Sequence, residues 1–312
     1  MSRVFDALQR SGVEQSGVQY PDVISVITEV LEAPCEPQSP SLQPEPLETE
    51  KSRVEHPAIE LVPQDLASRD LSELPALNIS VAPSSSLVFF KEPDSLAAEK
   101  FRFLGVRLRQ IQQSRPLKKV LVTSTIPEEG KSFVSANLAG VLARRKQKVL
   151  LIEGDLRRPS LGAQFGLGRL AGLGEWLQGD HRKLSNIYRL EGPDFWFMPA
   201  GDPPANPLEL MQSGSLSQLM AHLCTIFDWI IVDSPPLLPL ADTTVWSRIT
   251  DGTLLVARPG KTEKSALQSG LEHIKKSELL GVVLNGCTNS HGKSYYRSYL
   301  VPGTDRSVQQ LP

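Results

Sequence analysis

The stretch Thr125-Ile126-Pro127-Glu128-Glu129-Gly130-Lys131-Ser132 has the residue types and spacing to cradle a phosphate. It matches a phosphate-binding loop except at its first position, where threonine stands for glycine. Gly130 lets backbone N–H groups close around phosphate oxygens, Lys131 reaches the outer phosphates, and the Ser132 hydroxyl is a magnesium ligand. Phe133 follows in the helix behind the loop, whose N-terminus favours anions. A Gly-Lys-Ser triplet in an ordinary turn would share these letters. Here it follows the apolar run KVLVTS and precedes SFVSANLAGVLARR, the strand-loop-helix setting that phosphate binding requires. A nucleoside triphosphate with magnesium is the expected ligand.

Acids end two further apolar runs. WIIVDSPP puts Asp233 at the end of a buried strand, where a carboxylate holds the magnesium shell in phosphate-loop enzymes. VLLIEGDLRRP puts Glu153 and Asp155 two apart, on one side of an extended segment, followed by Arg157 and Arg158. Such a pair can divide the work, one carboxylate toward a metal and the other orienting or accepting the proton of an attacking hydroxyl. The alternative is a solvated strand-to-helix turn with its charges outward.

The elements that must position these groups are legible as apolar runs at 119–124, 148–153, 195–198, 229–233, 252–257 and 281–285, with helical stretches between most of them. Runs apolar on both faces that alternate with helices predict a doubly wound, mostly parallel α/β sheet with ligands at the carboxyl ends of its strands. A helix precedes the first strand, with Phe101, Leu104, Leu108 and Ile111 at helical spacing. The phosphate-loop domain is expected over residues 94–290. Residues 34–93 are rich in proline, serine and glutamate and read as a disordered linker, because they cannot bury enough apolar surface to offset their ordering entropy. Residues 1–33 hold two short amphipathic helices, either a docking element for a partner or the membrane surface, or helices that fold onto their own domain.

The whole-chain numbers exclude little. Lysine and arginine number 33 against 35 acids, a net charge of -2, which gives no bias toward nucleic acid or anionic membrane. Cys35, Cys224 and Cys287 match neither metal-ligand pairs nor a disulfide framework, the usage of a reducing compartment. No run approaches the roughly 18 to 20 apolar residues that span a bilayer, nor does the N-terminus carry a secretory segment. A cytoplasmic protein is expected.

Taken together, TS-x-IP-x-EGKS, VLLIEGDLRRP and IIVDSPPLLPLADT resemble the three Walker motifs of the bacterial tyrosine kinases of polysaccharide export. The resemblance covers roughly residues 90–300 and includes LGEWLQGD, MPAGDPPANPLELMQS, DGTLLVARPGKTEKSAL and the GVVLNG strand. It implies ATP and Mg2+ as cofactors, with Lys131 on the phosphates, Ser132 and Asp233 on magnesium, and Asp155 on the metal shell or its waters. Glu153 stands where the family has the aspartate proposed to accept the tyrosine proton, and Asn285 matches the asparagine that contacts adenine. Thr125, Glu129, Gly130 and Phe133 complete the implied nucleotide site. The family's tyrosine-rich tail, phosphorylated between subunits, corresponds to residues 291–312, where Tyr295, Tyr296 and Tyr299 are three of only five tyrosines in the chain. Ordinary surface aromatics would be the bland reading of that crowding.

Departures from the family pattern carry expectations of their own. The extra methylene of Glu153 would displace a catalytic oxygen, and Glu128 stands where the family commonly has glycine, so this glutamate would be strained if its φ is positive. Glu99 and Arg102 match the family's oligomerisation segment, but its next arginine is Gly105, with Arg107 two residues on; an exposed helix pair is the competing reading. The implied partners are a transmembrane activator or polysaccharide co-polymerase that recruits the chain to the inner face of the membrane, further copies of the chain in a homo-oligomer or ring, and a cognate tyrosine phosphatase. Two alternatives stand beside the kinase. Partitioning and septum-site ATPase switches (ParA/MinD) share the sheet but carry a signature lysine where this chain has Ile126. A degenerate kinase could bind ATP only to scaffold an export complex.

Overall fold

The apolar runs become strands because each is too short and too uniformly apolar to be anything but the middle of a covered sheet. The computed structural model describes residues 71, 74–79, 87–179, 184–238 and 241–287. The expected helices of residues 1–33 and the tyrosine tail lie outside the described residues. Within them the order is β1 (Ala76–Asn78), α1 (Val88–Lys91), α2 (Leu96–Ser114), β2 (Lys119–Ser124), α3 (Lys131–Ala143), β3 (Val149–Glu153), α4 (Leu161–Gln164), α5 (Leu173–Gln178), β4 (Tyr188–Glu191), β5 (Phe195–Met198), α6 (Pro207–Gln212), α7 (Ser215–Ile226), β6 (Trp229–Asp233), α8 (Asp242–Ile249), β7 (Gly252–Ala257), α9 (Lys264–Glu272) and β8 (Leu279–Leu284).

These strands form one eight-stranded sheet in the order β1-β4-β5-β3-β6-β2-β7-β8. Every neighbouring pair is parallel except β4–β5. The fold is thus the expected doubly wound, mostly parallel α/β sheet. All six predicted runs are strands, and β1 and β4 are additional. Both are short segments with polar residues, so their membership comes from the partner strand rather than from their own pattern.

Successive strand residues face opposite layers, and the core divides accordingly. Val120, Val122, Leu151, Ile231 and Leu254 pack under α2 and α3 against Leu104, Leu108, Leu138 and Leu142. Leu121, Leu150, Ile152, Ile230 and Val232 pack on the other face against Trp176, Leu219, Leu223 and Trp246. α2 is the helix expected before the first strand, and the Ser95 hydroxyl caps it by accepting the Ala98 N–H at 3.1 Å.

The linker expected over residues 34–93 ends earlier than composition indicated. β1 pairs with β4, and Leu87 and Phe89 are buried in the core. The Phe89 ring lies on Gly140 of α3, where a Cβ would collide with it, and its N–H donates to Asn137 Oδ1 at 3.3 Å. Composition counts apolar residues but not the complementary surface awaiting them, which is why this boundary was not visible.

Candidate functional site

β2 delivers the chain to the phosphate loop, and the loop is shaped by its own strained residues. Gly130 caps α3 at φ 96°, ψ 26°, a left-handed conformation, and a Cβ there would strike the Asn285 amide. Glu128 sits at φ 64°, so the expectation attached to that non-glycine residue holds: it occupies the left-handed region at a cost of about 1–2 kcal/mol. Bonds from elsewhere in the fold hold this shape. Glu129 turns its carboxylate inward, accepting the Ile126 N–H at 2.9 Å and the Thr262 hydroxyl from the loop after β7. Asn285, just past β8, donates from Nδ2 to the Glu129 carbonyl at 2.9 Å, and Lys261 pairs with Glu128 at 2.6 Å.

Behind the loop, β3 and β6 run side by side with Glu153 opposite Asp233. Lys131 Nζ lies 3.2 Å from Asp155 Oδ2. Asp233, 1 % exposed, accepts hydrogen bonds from Ser132 and, at 3.2 Å, from Ser135. Burial pushes the Asp233 carboxyl above its usual range, partly offset by the Lys131 charge and the two hydroxyls. Burial works against the Lys131 ammonium, yet the attraction of Asp233, Asp155 and Glu153 outweighs it and holds the lysine above its ordinary value. A cation reaching for anions and a hydroxyl beside a buried carboxylate therefore meet at one helix N-terminus. Hard oxygen donors of this kind suit Mg2+, which is commonly held by one or two carboxylates plus substrate phosphates. Among the described residues no cluster of three or more His, Cys, Asp and Glu could hold a metal unaided.

No family model matches the chain. Tyrosine-protein kinase YwqD of Bacillus subtilis is 34% identical over 212 residues, which cover 67% of this chain and 90% of YwqD. The chain belongs to the bacterial tyrosine kinases. Tyrosine-protein kinase ptk of Acinetobacter johnsonii is also 34% identical, over 196 residues that cover 63% of this chain but only 26% of ptk. The match thus spans about a quarter of that longer relative. The solved kinase domain of Escherichia coli tyrosine kinase Etk superposes with a TM-score of 0.62 at 30% identity, covering 65% of this chain and 81% of that one. Membership makes the chain a protein-tyrosine kinase with a phosphate-loop ATP-binding fold.

The departures from the general phosphate-loop pattern and from the bacterial tyrosine kinase pattern find physical accommodation. Thr125, in place of the loop's first glycine, packs against Gly270 of α9, where a Cβ would come within 2.9 Å of its hydroxyl oxygen. Gly105 faces α3, its virtual Cβ 3.1 Å from Val141. Glu99 and Arg102 pair with each other at 2.6 Å within α2, and Arg102 also donates to the Pro93 carbonyl at 2.6 Å.

Glu153 and Asp155, whose spacing predicted one shared side, take different partners. β3 ends at Glu153, so strand alternation does not carry through to Asp155. Asp155 turns to Lys131 and accepts the Arg158 N–H at 3.0 Å. Glu153 turns away, accepting the Ser160 and Leu161 N–H groups at 2.5 Å and the Ala200 N–H at 3.2 Å. Burial raises its pKa, with the three amide bonds and the nearby Asp233 acting in opposite senses. The Phe133 ring likewise leaves the loop and packs edge-on against Phe101, 5.6 Å between centroids.

Several site residues were not anticipated. Asp242, buried at the start of α8, holds Arg157 through contacts of 2.7 and 3.1 Å. Trp246, one turn on, donates to the Gly154 carbonyl at 3.2 Å. The acid after the apolar turn in PLLPLADT was the available signal for Asp242. Thr262 offered none, since its role exists only through Glu129.

Proposed function

We propose that this chain transfers the γ-phosphoryl group of ATP to tyrosine hydroxyls in the tail of a second copy, with Tyr295, Tyr296 and Tyr299 as acceptors. The observation that carries the reading is the buried Lys131–Asp155–Asp233 cluster set directly behind a phosphate loop. In this reading Gly130, Lys131 and backbone N–H groups at the start of α3 hold the phosphates, and Asn285 meets the adenine. Ser132, Asp233 and Asp155 would hold Mg2+, which supplies charge neutralisation for the transferring group when bound.

In the step itself the phenolic oxygen bonds to the γ-phosphorus while the bond from that phosphorus to the β–γ bridging oxygen breaks. ADP leaves, and the phenolic proton passes to a carboxylate at the end of β3. The chain's contribution is positioning and fixed charge, which in a dry site act without reorganisation at the moment of reaction.

The family resemblance supports a wider setting: a transmembrane co-polymerase that recruits the chain to the inner face of the membrane, assembly with further copies, a phosphatase that resets the tail, and control of polysaccharide export. The described residues contain no helix long and apolar enough to cross a membrane. Incubating the full chain with ATP and Mg2+, with and without a membrane activator, and mapping phosphopeptides tests the core of the reading. Phosphate on the tail tyrosines is expected; a tail without phosphotyrosine under both conditions refutes it.

A further inference from the structure

We propose that Glu153 is a positioning residue whose carboxylate clamps the two ends of the β3–α4 loop and the end of β5, leaving Asp155 as the β3-end carboxylate that faces the reacting groups. The proposal rests on the kinase reading of the site and divides labour within it.

A carboxylate has about four acceptor sites. At Glu153 three of them are taken by backbone amides: Oε1 by Ser160 and Leu161, both at 2.5 Å, and Oε2 by Ala200 at 3.2 Å. The residue is buried, at 2 % exposure against 5 % for Asp155, so it is the occupancy of their oxygens that separates the two. A proton acceptor must present a free lone pair within hydrogen-bond reach of the hydroxyl, and geometry decides that before basicity does. Glu153 presents its oxygens to the protein's own backbone instead.

The extra methylene gives the reach. An aspartate carboxylate at this position would end about 1.5 Å nearer the strand, one carbon–carbon bond short. It could not span from β3 to the start of α4 and to Ala200, two residues past β5, together. The loop so closed is the one that carries Asp155. Other ties along it act in the same sense: Gly154 N–H to the Asp233 carbonyl at 2.7 Å, Trp246 to the Gly154 carbonyl at 3.2 Å, and Arg157 to Asp242. Ser160 also lies against Ser132, with their hydroxyl oxygens 3.2 Å apart. Clamping Ser160 therefore fixes a neighbour of the magnesium-site hydroxyl as well.

The two roles make opposite predictions for two variants of the full chain. A base survives as Glu153→Asp better than as Glu153→Gln, because only the former keeps a carboxylate. A clamp survives better as Glu153→Gln, which keeps the length and one oxygen for Ser160 and Leu161. The expected result is tail phosphorylation by Glu153→Gln within about tenfold of the unaltered chain, with the same pH profile, and a larger loss for Glu153→Asp. A general base contributes typically ~10²–10⁴-fold, so a loss of that size in Glu153→Gln, with Glu153→Asp the more active, overturns the proposal. Hydrogen exchange at Ser160, Leu161 and Ala200 gives a readout independent of turnover. Those amides should exchange faster in Glu153→Asp, and unchanged protection there also overturns the clamp. An unaltered chain without kinase activity would refute the functional reading, while the exchange result would still decide the clamp.

Discussion

Two regions of this molecule pair opposite charges by similar contacts and use them differently. At the carboxyl edge of the sheet, Lys131 and Asp155 lie 3.2 Å apart with side chains 12% and 7% exposed. On the outer face of α2, Arg102 and Glu99 lie closer, at 2.6 Å, but are 34% and 48% exposed. Water screens the second pair and leaves it worth little, whereas the first keeps its field and cannot lose a partner without stranding a buried charge. Burial rather than distance ranks the two.

The comparison can be broken most sharply at its centre. Lys131→Met should lower tail phosphorylation by roughly 100- to 1000-fold, the scale of losing one charged stabiliser in a water-excluded site. Radiolabel incorporation measures it, and activity within tenfold of the unaltered chain would mean that the buried cluster is not the reaction centre. The Arg157–Asp242 pair lies between the extremes, one partner buried and the other half-open. Asp242→Ala should destabilise the fold by about 1–3 kcal/mol, read from the shift in urea midpoint, because it removes a buried acceptor from two hydrogen bonds. A shift indistinguishable from zero would place that pair with the surface ones.

Thr262→Val probes a brace rather than a charge. Losing its hydroxyl leaves the buried Glu129 carboxylate short of a donor, at a cost of about 1–2 kcal/mol. That cost should appear as a several-fold higher KM for ATP with kcat little changed; a change in kcat alone would show that the brace does not shape the nucleotide site. The smallest effect belongs to Glu99→Ala, expected within about 0.5 kcal/mol of the unaltered chain in thermal unfolding. A loss above about 1.5 kcal/mol would show that the α2 pair is shielded in solution, as a subunit interface would shield it.

How much could be read in advance follows from how local each feature is. The phosphate loop and the acids ending β3 and β6 were legible because residue order alone puts a Gly-Lys-Ser after a strand and an acid at a strand end. The six apolar runs were legible because buried parallel strands leave no polar face. β1 and β4 were not, since Ala76–Asn78 and Tyr188–Glu191 gain strand geometry only from pairing with each other and, for β4, with β5. Phe89 was assigned to the linker because its proline- and serine-rich neighbours hid an aromatic ring whose pocket over Gly140 lies far along the chain.

By itself the sequence determined the parallel sheet, the phosphate loop and the presence of two carboxylates at and just past the end of β3, because each is written in short runs whose spacing dictates local geometry. Which of those carboxylates faces Lys131 was decided only by tertiary structure. The direction of Glu153 depends on where α4 and β5 place three backbone amides, and those amides come from residues that have no reason to meet until the sheet has closed around them.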